Sequence, residues 1–126
     1  MEKFTPFARF TQLLKTIDQL PVPLNIYNQH RMQYDYILGQ VTLFSSRGQL
    51  VNVGEMTACP MLGSQPTANK RIQELVKFGL LELTLSVDRR VKNLSLTESG
   101  VRYMDSCSKL MDDVVSQSKL RVIKDV

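Results

Sequence analysis

Hydrophobic residues recur every three or four positions along much of the chain, which is the spacing of one face of an α-helix. The clearest case is the stretch 64–78, which places Ala68, Ile72 and Leu75 on one side and polar residues on the other. Ser64 suits the N-cap of this helix, and Gly79 suits its C-terminal end. The same reasoning predicts helices over residues 5–20, 32–47, 64–78 and 97–126. Residues 54–62 predict a short or distorted helix, because Pro60 lies inside the pattern.

After Gly79 the pattern changes from helical spacing to alternation. Residues 80–87 and 91–96 alternate apolar and polar positions, as strands do, and the polar tip Asp88-Arg89-Arg90 separates them. The short apolar stretch 49–51 is a candidate for a further brief strand. Three helices followed by a hairpin form a winged helix-turn-helix. The predicted fold class is therefore mainly α with a small β-hairpin wing.

The predicted organisation is a single winged-helix domain spanning residues 1–126. Residues 32–96 form its winged helix-turn-helix core. Residues 1–31, a helix and a connection, and the helix 97–126 are predicted to mediate dimerisation. The final helix carries two adjacent apolar stripes, one with Val101 and Met111 and the other with Tyr103 and Cys107. A second copy of the chain is the simplest cover for so much apolar surface.

The amino-acid composition argues against membrane, metal-binding and enzymatic functions. The 126 residues are 43% hydrophobic, which suits one small packed domain, and no apolar run approaches a membrane span of ~18 residues. The N-terminus does not resemble a secretory signal, so a cytoplasmic protein without a membrane partner is expected. His30 is the only histidine, and Cys59 and Cys107 are far apart. We therefore expect no metal, no cofactor and no enzymatic activity.

The basic charge is concentrated in one segment. The chain carries 16 basic and 12 acidic residues, a net charge of +4. Most of the excess falls in residues 64–102, and a localised basic stripe is typical of a phosphate-binding surface. The basic residues of this segment are Lys70, Arg71, Lys77, Arg89, Arg90, Lys92 and Arg102.

The chemistry of this segment suits double-stranded DNA. An α-helix fits the major groove of B-DNA, where amides pair with adenine and lysine donates to guanine. We predict that helix 64–78 enters the major groove and that the wing, 86–92, lies at the minor groove. The candidate DNA-binding residues are Ser64, Gln65, Thr67, Asn69, Lys70, Gln73, Asp88, Arg89, Arg90 and Lys92.

Two stretches resemble the MarR family of winged-helix regulators. One runs from Ser64-Gln65-Pro66-Thr67 into Leu75-Val76-Lys77-Phe78-Gly79-Leu80. The other pairs the wing motif Asp88-Arg89-Arg90 with Leu96-Thr97-Glu98-Ser99-Gly100. The chain departs from the family pattern at Arg71, where an apolar residue is usual, at Pro60, and in its short C-terminal region.

This resemblance implies a homodimer that reads a pseudo-palindromic operator through two winged lobes. It also implies that Arg90 acts at the wing and that Asp88 positions it. A small-molecule effector between the dimerisation helices is a further implication. We therefore expect a homodimeric, sequence-specific DNA-binding transcription regulator, with repression by steric occlusion as the mode of action. The alternatives are a winged-helix protein-interaction module and a plasmid or phage replication or partition factor.

Overall fold

The structure is a computed structural model that describes residues 5–18 and 29–124, with the side chains of residues 6–16 and 29–113. The predicted end of the first helix at residue 20 and the predicted last residues of the final helix lie outside that description. Its helices are α1 (Thr5–Asp18), α2 (Arg31–Ser46), α3 (Val53–Thr57), α4 (Gln65–Lys77) and α5 (Glu98–Lys124). Its strands are β1 (Val51–Asn52), β2 (Leu81–Leu85) and β3 (Lys92–Leu96).

The chain divides into two compact units. One contains residues 23–104, and the other contains α1 together with the α5 residues from Asp105 onward. The larger unit holds α2, the sheet, α3, α4 and the first turns of α5, which is the order of a winged helix. Within the described residues, no helix is both long and apolar enough to cross a bilayer.

The sheet has three antiparallel strands in the order β1-β3-β2. β2 and β3 form the expected hairpin, in which Leu83 is opposite Leu94 and Leu85 is opposite Lys92. The candidate strand near residue 50 is real, and it pairs Val51 with Leu94 on the other side of β3. β3 is the central strand of this sheet. Its pairing with β1 therefore connects the β2–β3 hairpin to the helical part of the same unit.

The core of the larger unit lies between α2, α4 and the sheet, which pack against one another. α2 contributes Tyr34, Ile37 and Leu38, and α4 contributes Ile72 and Leu75, all with 0% of their surface exposed. Complete burial of a Leu or Ile side chain stabilises a fold by roughly 1.5–3 kcal/mol. This burial fixes which edge of α4 faces inward and leaves its other edge for solvent.

The helix predicted to be short or distorted over residues 54–62 is interrupted before Pro60. α3 ends at Thr57, and Pro60–Leu62 form a separate 3-10 turn with Pro60 in its first positions. Proline lacks the backbone N–H that a continuing α-helix would need, but it is tolerated in a first turn. Gly63 then adopts a φ of 84°, a conformation that favours glycine and separates this turn from α4.

The Leu-Thr-x-x-Gly string has a structural explanation at the start of α5. Thr97 Oγ1 accepts a hydrogen bond from the Gly100 N–H at 3.0 Å and donates to the Gly79 carbonyl at 2.5 Å. A Cβ atom on Gly100 would lie 2.2 Å from the Leu80 carbonyl oxygen. Threonine and glycine at this spacing therefore join the start of α5 to the chain that follows α4.

α5 is also tied to α2 by buried polar groups. Arg31 Nη1 donates to Tyr103 Oη at 2.7 Å, and Tyr103 Oη donates to Asp35 Oδ1 at 2.8 Å. Tyr103 is buried within the chain, and its hydroxyl is hydrogen-bonded to Arg31 and Asp35. Val101 and Met111, from the other stripe, are each 53% exposed.

Candidate nucleic-acid interface

The N-terminus of α4 is set by a side-chain cap. Ser64 Oγ accepts a hydrogen bond from the Thr67 N–H at 3.3 Å, as the sequence predicts for an N-cap. The Ser64 hydroxyl also donates to Thr67 Oγ1 at 2.9 Å. These two hydroxyl groups, both candidate DNA contacts, are therefore engaged with each other, and Thr67 is half-buried.

The solvent edge of α4 carries most of the other candidate residues of this helix. The side chains of Gln65, Asn69, Lys70 and Gln73 are exposed. Ala68, Ile72 and Leu75 line the opposite edge and are buried. This edge presents three amides and one ammonium group, which are hydrogen-bonding types that read base edges in a major groove.

Arg71 does not belong to the basic surface, contrary to the charge analysis. Its side chain is buried, and its Nε donates to Gln33 Oε1 at 2.8 Å. Its Nη1 forms an ion pair with Glu74 Oε1. In the MarR-family pattern this position usually holds an apolar residue. Arginine is accommodated here because Gln33 on α2 and Glu74 on α4 are polar partners for its side chain. A buried charge without such partners would be strongly destabilising.

The same cluster changes the titration of two neighbouring groups. Burial raises the pKa of Tyr34 to about 12, and its hydrogen bond with Glu74 adds to the rise. Burial alone would raise the pKa of Glu74. The hydrogen bonds from Arg71 and Tyr34, together with the charge of Arg71, outweigh it and lower the pKa of this carboxyl. Glu74 therefore stays ionised at neutral pH and holds Arg71 in place.

The tip of the wing is a turn closed by polar bonds. The Ser86 N–H donates to the Val91 carbonyl and the Arg89 N–H donates to the Ser86 carbonyl, both at 2.8 Å. Asp88 Oδ1 accepts from the Ser86 hydroxyl at 2.6 Å and from the Arg90 N–H at 3.1 Å. These two bonds lower the pKa of Asp88. The carboxylate of Asp88 thus organises the tip of the wing.

The two wing arginines have different surroundings. Arg90 Nε lies 4.0 Å from Asp88 Oδ2, whereas Arg89 is exposed and its backbone has a φ of 62°. Lys92 begins β3 and is also exposed. Thus Asp88, Arg89, Arg90 and Lys92 all lie on the exposed end of one hairpin, where the sequence places them.

A cleft of about 320 Å³ lies beside the wing, and sequence reasoning missed the residues on its far side. Its wing side is formed by residues 90–92 and its other side by Asn52, Val53 and Gly54. The 52–54 segment reaches the wing because β1 pairs with β3, and a pairing between strands so distant in sequence leaves no local signal. Arg90 and Lys92 give this cleft a positive rim.

The basic surface that remains is smaller than the sequence count indicates. Arg71 is buried, and Arg102 Nη1 lies 3.2 Å from Glu98 Oε1. The other five cations of the segment 64–102 are exposed and belong to the unit of residues 23–104: Lys70, Lys77, Arg89, Arg90 and Lys92. Among the described residues, no cluster of three or more His, Cys, Asp and Glu side chains has the arrangement of a metal site.

No protein-family model matches this chain, and neither does any curated protein sequence. Solved structures do match. The Staphylococcus aureus MepR–DNA complex aligns over 99% of this chain and 83% of its own, with a TM-score of 0.67 and 14% identity. MepR, a transcription regulator of the S. aureus multidrug efflux pump MepA, aligns over 100% and 84%, with a TM-score of 0.58 and 13% identity.

The adhesin competence repressor AdcR from Streptococcus pyogenes also matches. It aligns over 99% of this chain and 82% of its own, with a TM-score of 0.51 and 22% identity. MepR and AdcR are MarR-family winged-helix transcription regulators, so the resemblance predicted from the α4 and wing sequences is confirmed in the fold. The chain has the mainly helical winged-helix fold, with a small antiparallel sheet, that these MarR-family regulators share.

Proposed function

We propose that this chain is a homodimeric transcription regulator that binds double-stranded DNA through α4 and the wing. The observation that carries the proposal is the exposure of the polar edge of α4, whose opposite edge is sealed into the core of the same unit as the wing. The MepR structure solved in complex with DNA and the naming of AdcR as a repressor support it.

The proposed division of chemistry follows from the side-chain types. Gln65, Asn69, Lys70 and Gln73 contact base edges in the major groove and determine sequence preference. The Ser64–Thr67 cap fixes the first turn of α4, and its backbone N–H groups and hydroxyls lie toward the phosphates. The exposed cations of the wing supply affinity that depends on salt concentration.

Dimerisation is proposed from the exposed apolar residues of the smaller unit. On α1, Phe7, Phe10 and Leu14 are 71%, 48% and 45% exposed, although Leu13 on the adjacent face is buried. The Phe7 and Phe10 rings lie next to each other, with centroids 6.4 Å apart. An exposed pair of aromatic rings on an amphipathic helix is typical of an association surface. A second copy of α1 and α5 is the cover that we propose.

A dimer places two copies of α4 on one duplex and so implies a pseudo-palindromic site. Repression by occlusion of a promoter in the cytoplasm is the mode that we propose. A small-molecule effector that acts through the dimerisation helices is the regulation that the resemblance implies. Sequences selected by the protein from random DNA, together with the genes beside the matching genomic sites, would identify the targets.

The test of DNA binding is a titration of labelled mixed-sequence duplex at low salt, followed by selection of preferred sequences. Nonspecific binding with a Kd of ~10⁻⁴–10⁻⁶ M or tighter is expected. Asn69→Ala should change the selected sequence, because loss of one base contact costs ~1–3 kcal/mol at that position only. Lys109→Ala, which removes an exposed charge in the smaller unit, is the matched control and should leave the preference unchanged.

Failure to bind any duplex, by a folded dimer at low salt, would contradict the proposal. The protein-interaction module would then be the favoured function.

A further inference from the structure

A buried polar cluster joins α4 to α2 and to the turn that leads into α4. Gln33 Oε1 on α2 accepts a hydrogen bond from Arg71 Nε on α4 at 2.8 Å. The Nε2 of the same side chain donates to the Leu62 carbonyl at 3.5 Å. Leu62 ends the 3-10 turn that precedes the Ser64 cap of α4. One amide side chain therefore contacts both α4 and the segment from which it starts.

Arg71 has a second partner in this cluster. Its Nη1 forms an ion pair with Glu74, one turn further along α4. The Glu74 carboxylate is also hydrogen-bonded by Tyr34 of α2, a residue with 0% of its surface exposed. Arg71 itself is only 8% exposed. Its guanidinium is therefore enclosed by polar groups of both helices and is not available to a phosphate.

The apolar contacts between α2 and α4 supply stability without fixing direction. Ile37 of α2 and Ile72 and Leu75 of α4 are fully buried. Apolar burial is non-directional, and a core of suitable volume can repack without unfolding. A satisfied buried polar network instead specifies one arrangement of the elements that it joins. The bond between Gln33 and Arg71 therefore selects one rotation of α4 from those that apolar packing would accept.

The rotation of α4 determines where its polar edge lies. Successive side chains of an α-helix differ in direction by about 100°, so any rotation about the axis moves every one of them. Lys70 directly precedes Arg71 in the sequence, and Asn69 and Gln73 lie two positions from it on either side. These three neighbours are exposed, whereas Arg71 is buried. The bond that holds Arg71 against α2 therefore also sets the positions of the exposed amides and the ammonium group.

We propose that Gln33 and Arg71 are positioning residues for DNA recognition, which fix the rotation of α4 so that its polar edge meets base edges in one register. Neither residue touches the DNA. This inference rests on the proposed DNA-binding function, and it gives a role to the arginine that departs from the family pattern. Hydrogen bonds to base edges depend on direction. Loss of the bond should therefore reduce discrimination between sequences more than it reduces stability or affinity for phosphates.

The first test removes the hydrogen-bond acceptor on α2. Gln33→Met keeps a side chain of similar length but deprives Arg71 Nε of its partner, whereas Gln33→Glu retains an acceptor. Binding is measured by fluorescence anisotropy with two duplexes, one selected by the wild-type protein from random DNA and one of mixed sequence. The ratio of the two affinities measures sequence discrimination.

Gln33→Met should reduce this ratio about tenfold, the discrimination that one well-placed base contact supplies, and should leave affinity for the mixed-sequence duplex within about twofold of the wild type. Gln33→Glu should keep the ratio within about threefold of the wild type, because a carboxylate accepts strongly from a guanidinium. The matched control is Gln40→Met, which changes a half-buried glutamine two turns further along α2 and should leave the ratio unchanged.

The second test replaces the charged pair without altering the net charge. Arg71→Leu combined with Glu74→Gln introduces the apolar residue type of the family pattern and leaves an amide beside Tyr34. Replacing a buried ion pair by apolar side chains is often neutral or stabilising, so the melting temperature should equal or exceed that of the wild type. The salt slope of log K should not change, because a buried cation neutralises no phosphate. The discrimination ratio should nevertheless fall about tenfold.

Retention of the wild-type ratio by Gln33→Met or by the double variant would overturn the inference. An equal loss of affinity for both duplexes, or a double variant that melts well below the wild type, would overturn it in favour of a purely structural role. A decrease of about 0.9 in the salt slope of the double variant would overturn it in favour of a direct phosphate contact. A wild-type protein that binds no duplex, or binds both equally, would instead refute the proposed function.

Discussion

The two units of the chain differ in how completely they cover their own apolar residues. The unit of residues 23–104 buries Ile37, Leu38, Ile72 and Leu75 with 0% exposure, so its core is closed by its own strands and helices. In the smaller unit, α1 leaves Phe7 71% exposed. This difference indicates that folding of the winged helix and the proposed association of two chains rest on separate residues. Substitutions should therefore affect one without the other.

The largest effect is expected from removing core volume in the winged-helix unit. Ile72→Ala should lower the free energy of unfolding by ~2–5 kcal/mol, through lost burial and the cavity that remains. The loss should not depend on protein concentration if this core is closed without a partner. Denaturant unfolding measures it, with the exposed Lys77→Ala as the control. A loss below about 1 kcal/mol would show that this core is not well packed.

Substitutions at two glycines test the close contact between the start of α5 and the chain that follows α4. Gly100→Ala forces a Cβ into the Leu80 carbonyl and should destabilise the fold by ~1–3 kcal/mol. Gly39→Ala is the matched control, because no heavy atom lies within 4 Å of the added Cβ and the residue is inside α2. It should stabilise by ~0.5–1 kcal/mol. Equal melting temperatures for the two variants would refute this account of the contact.

The exposed aromatic pair should control association rather than folding. Phe10→Ala is expected to weaken dimerisation about tenfold, or ~1.4 kcal/mol, while thermal unfolding of the winged-helix unit stays unchanged. Gln12→Ala, an exposed polar residue on the same helix, is the control. Sedimentation equilibrium measures the association constant. Identical constants for the two variants would exclude this face of α1 from the interface.

The smallest effect concerns the decrease in the free energy of unfolding at acidic pH. The pKa of Glu74 is lower in the folded protein than its unfolded value of ~4.3. Its contribution is therefore complete above that value and is lost as pH falls through the lower folded pKa. Wild-type stability should decline more steeply below about pH 4.3 than that of Glu74→Gln. Parallel declines in the free energy of unfolding would contradict the role of Glu74 in holding Arg71.

Features that depend on neighbouring residues were predictable from sequence. The Ser64 cap, the end of α4 before Gly79 and the hairpin between residues 81 and 96 all appear where local patterns place them. Features that depend on distant residues were not. Arg71 looks like a surface cation until Gln33, 38 positions away, is seen to accept its hydrogen bond. The cleft beside the wing likewise depends on the pairing of β1 with β3.

The exposed edge of α4 and the basic wing are tested most directly by the salt dependence of DNA binding. The wild-type protein and a variant with Lys70, Arg89, Arg90 and Lys92 all changed to Gln would be titrated against one mixed-sequence duplex. We predict that log K for the wild type falls linearly with log salt and that the slope decreases by about 0.9 for each lost phosphate contact in the variant. Equal affinities and equal slopes for the two proteins would contradict the account.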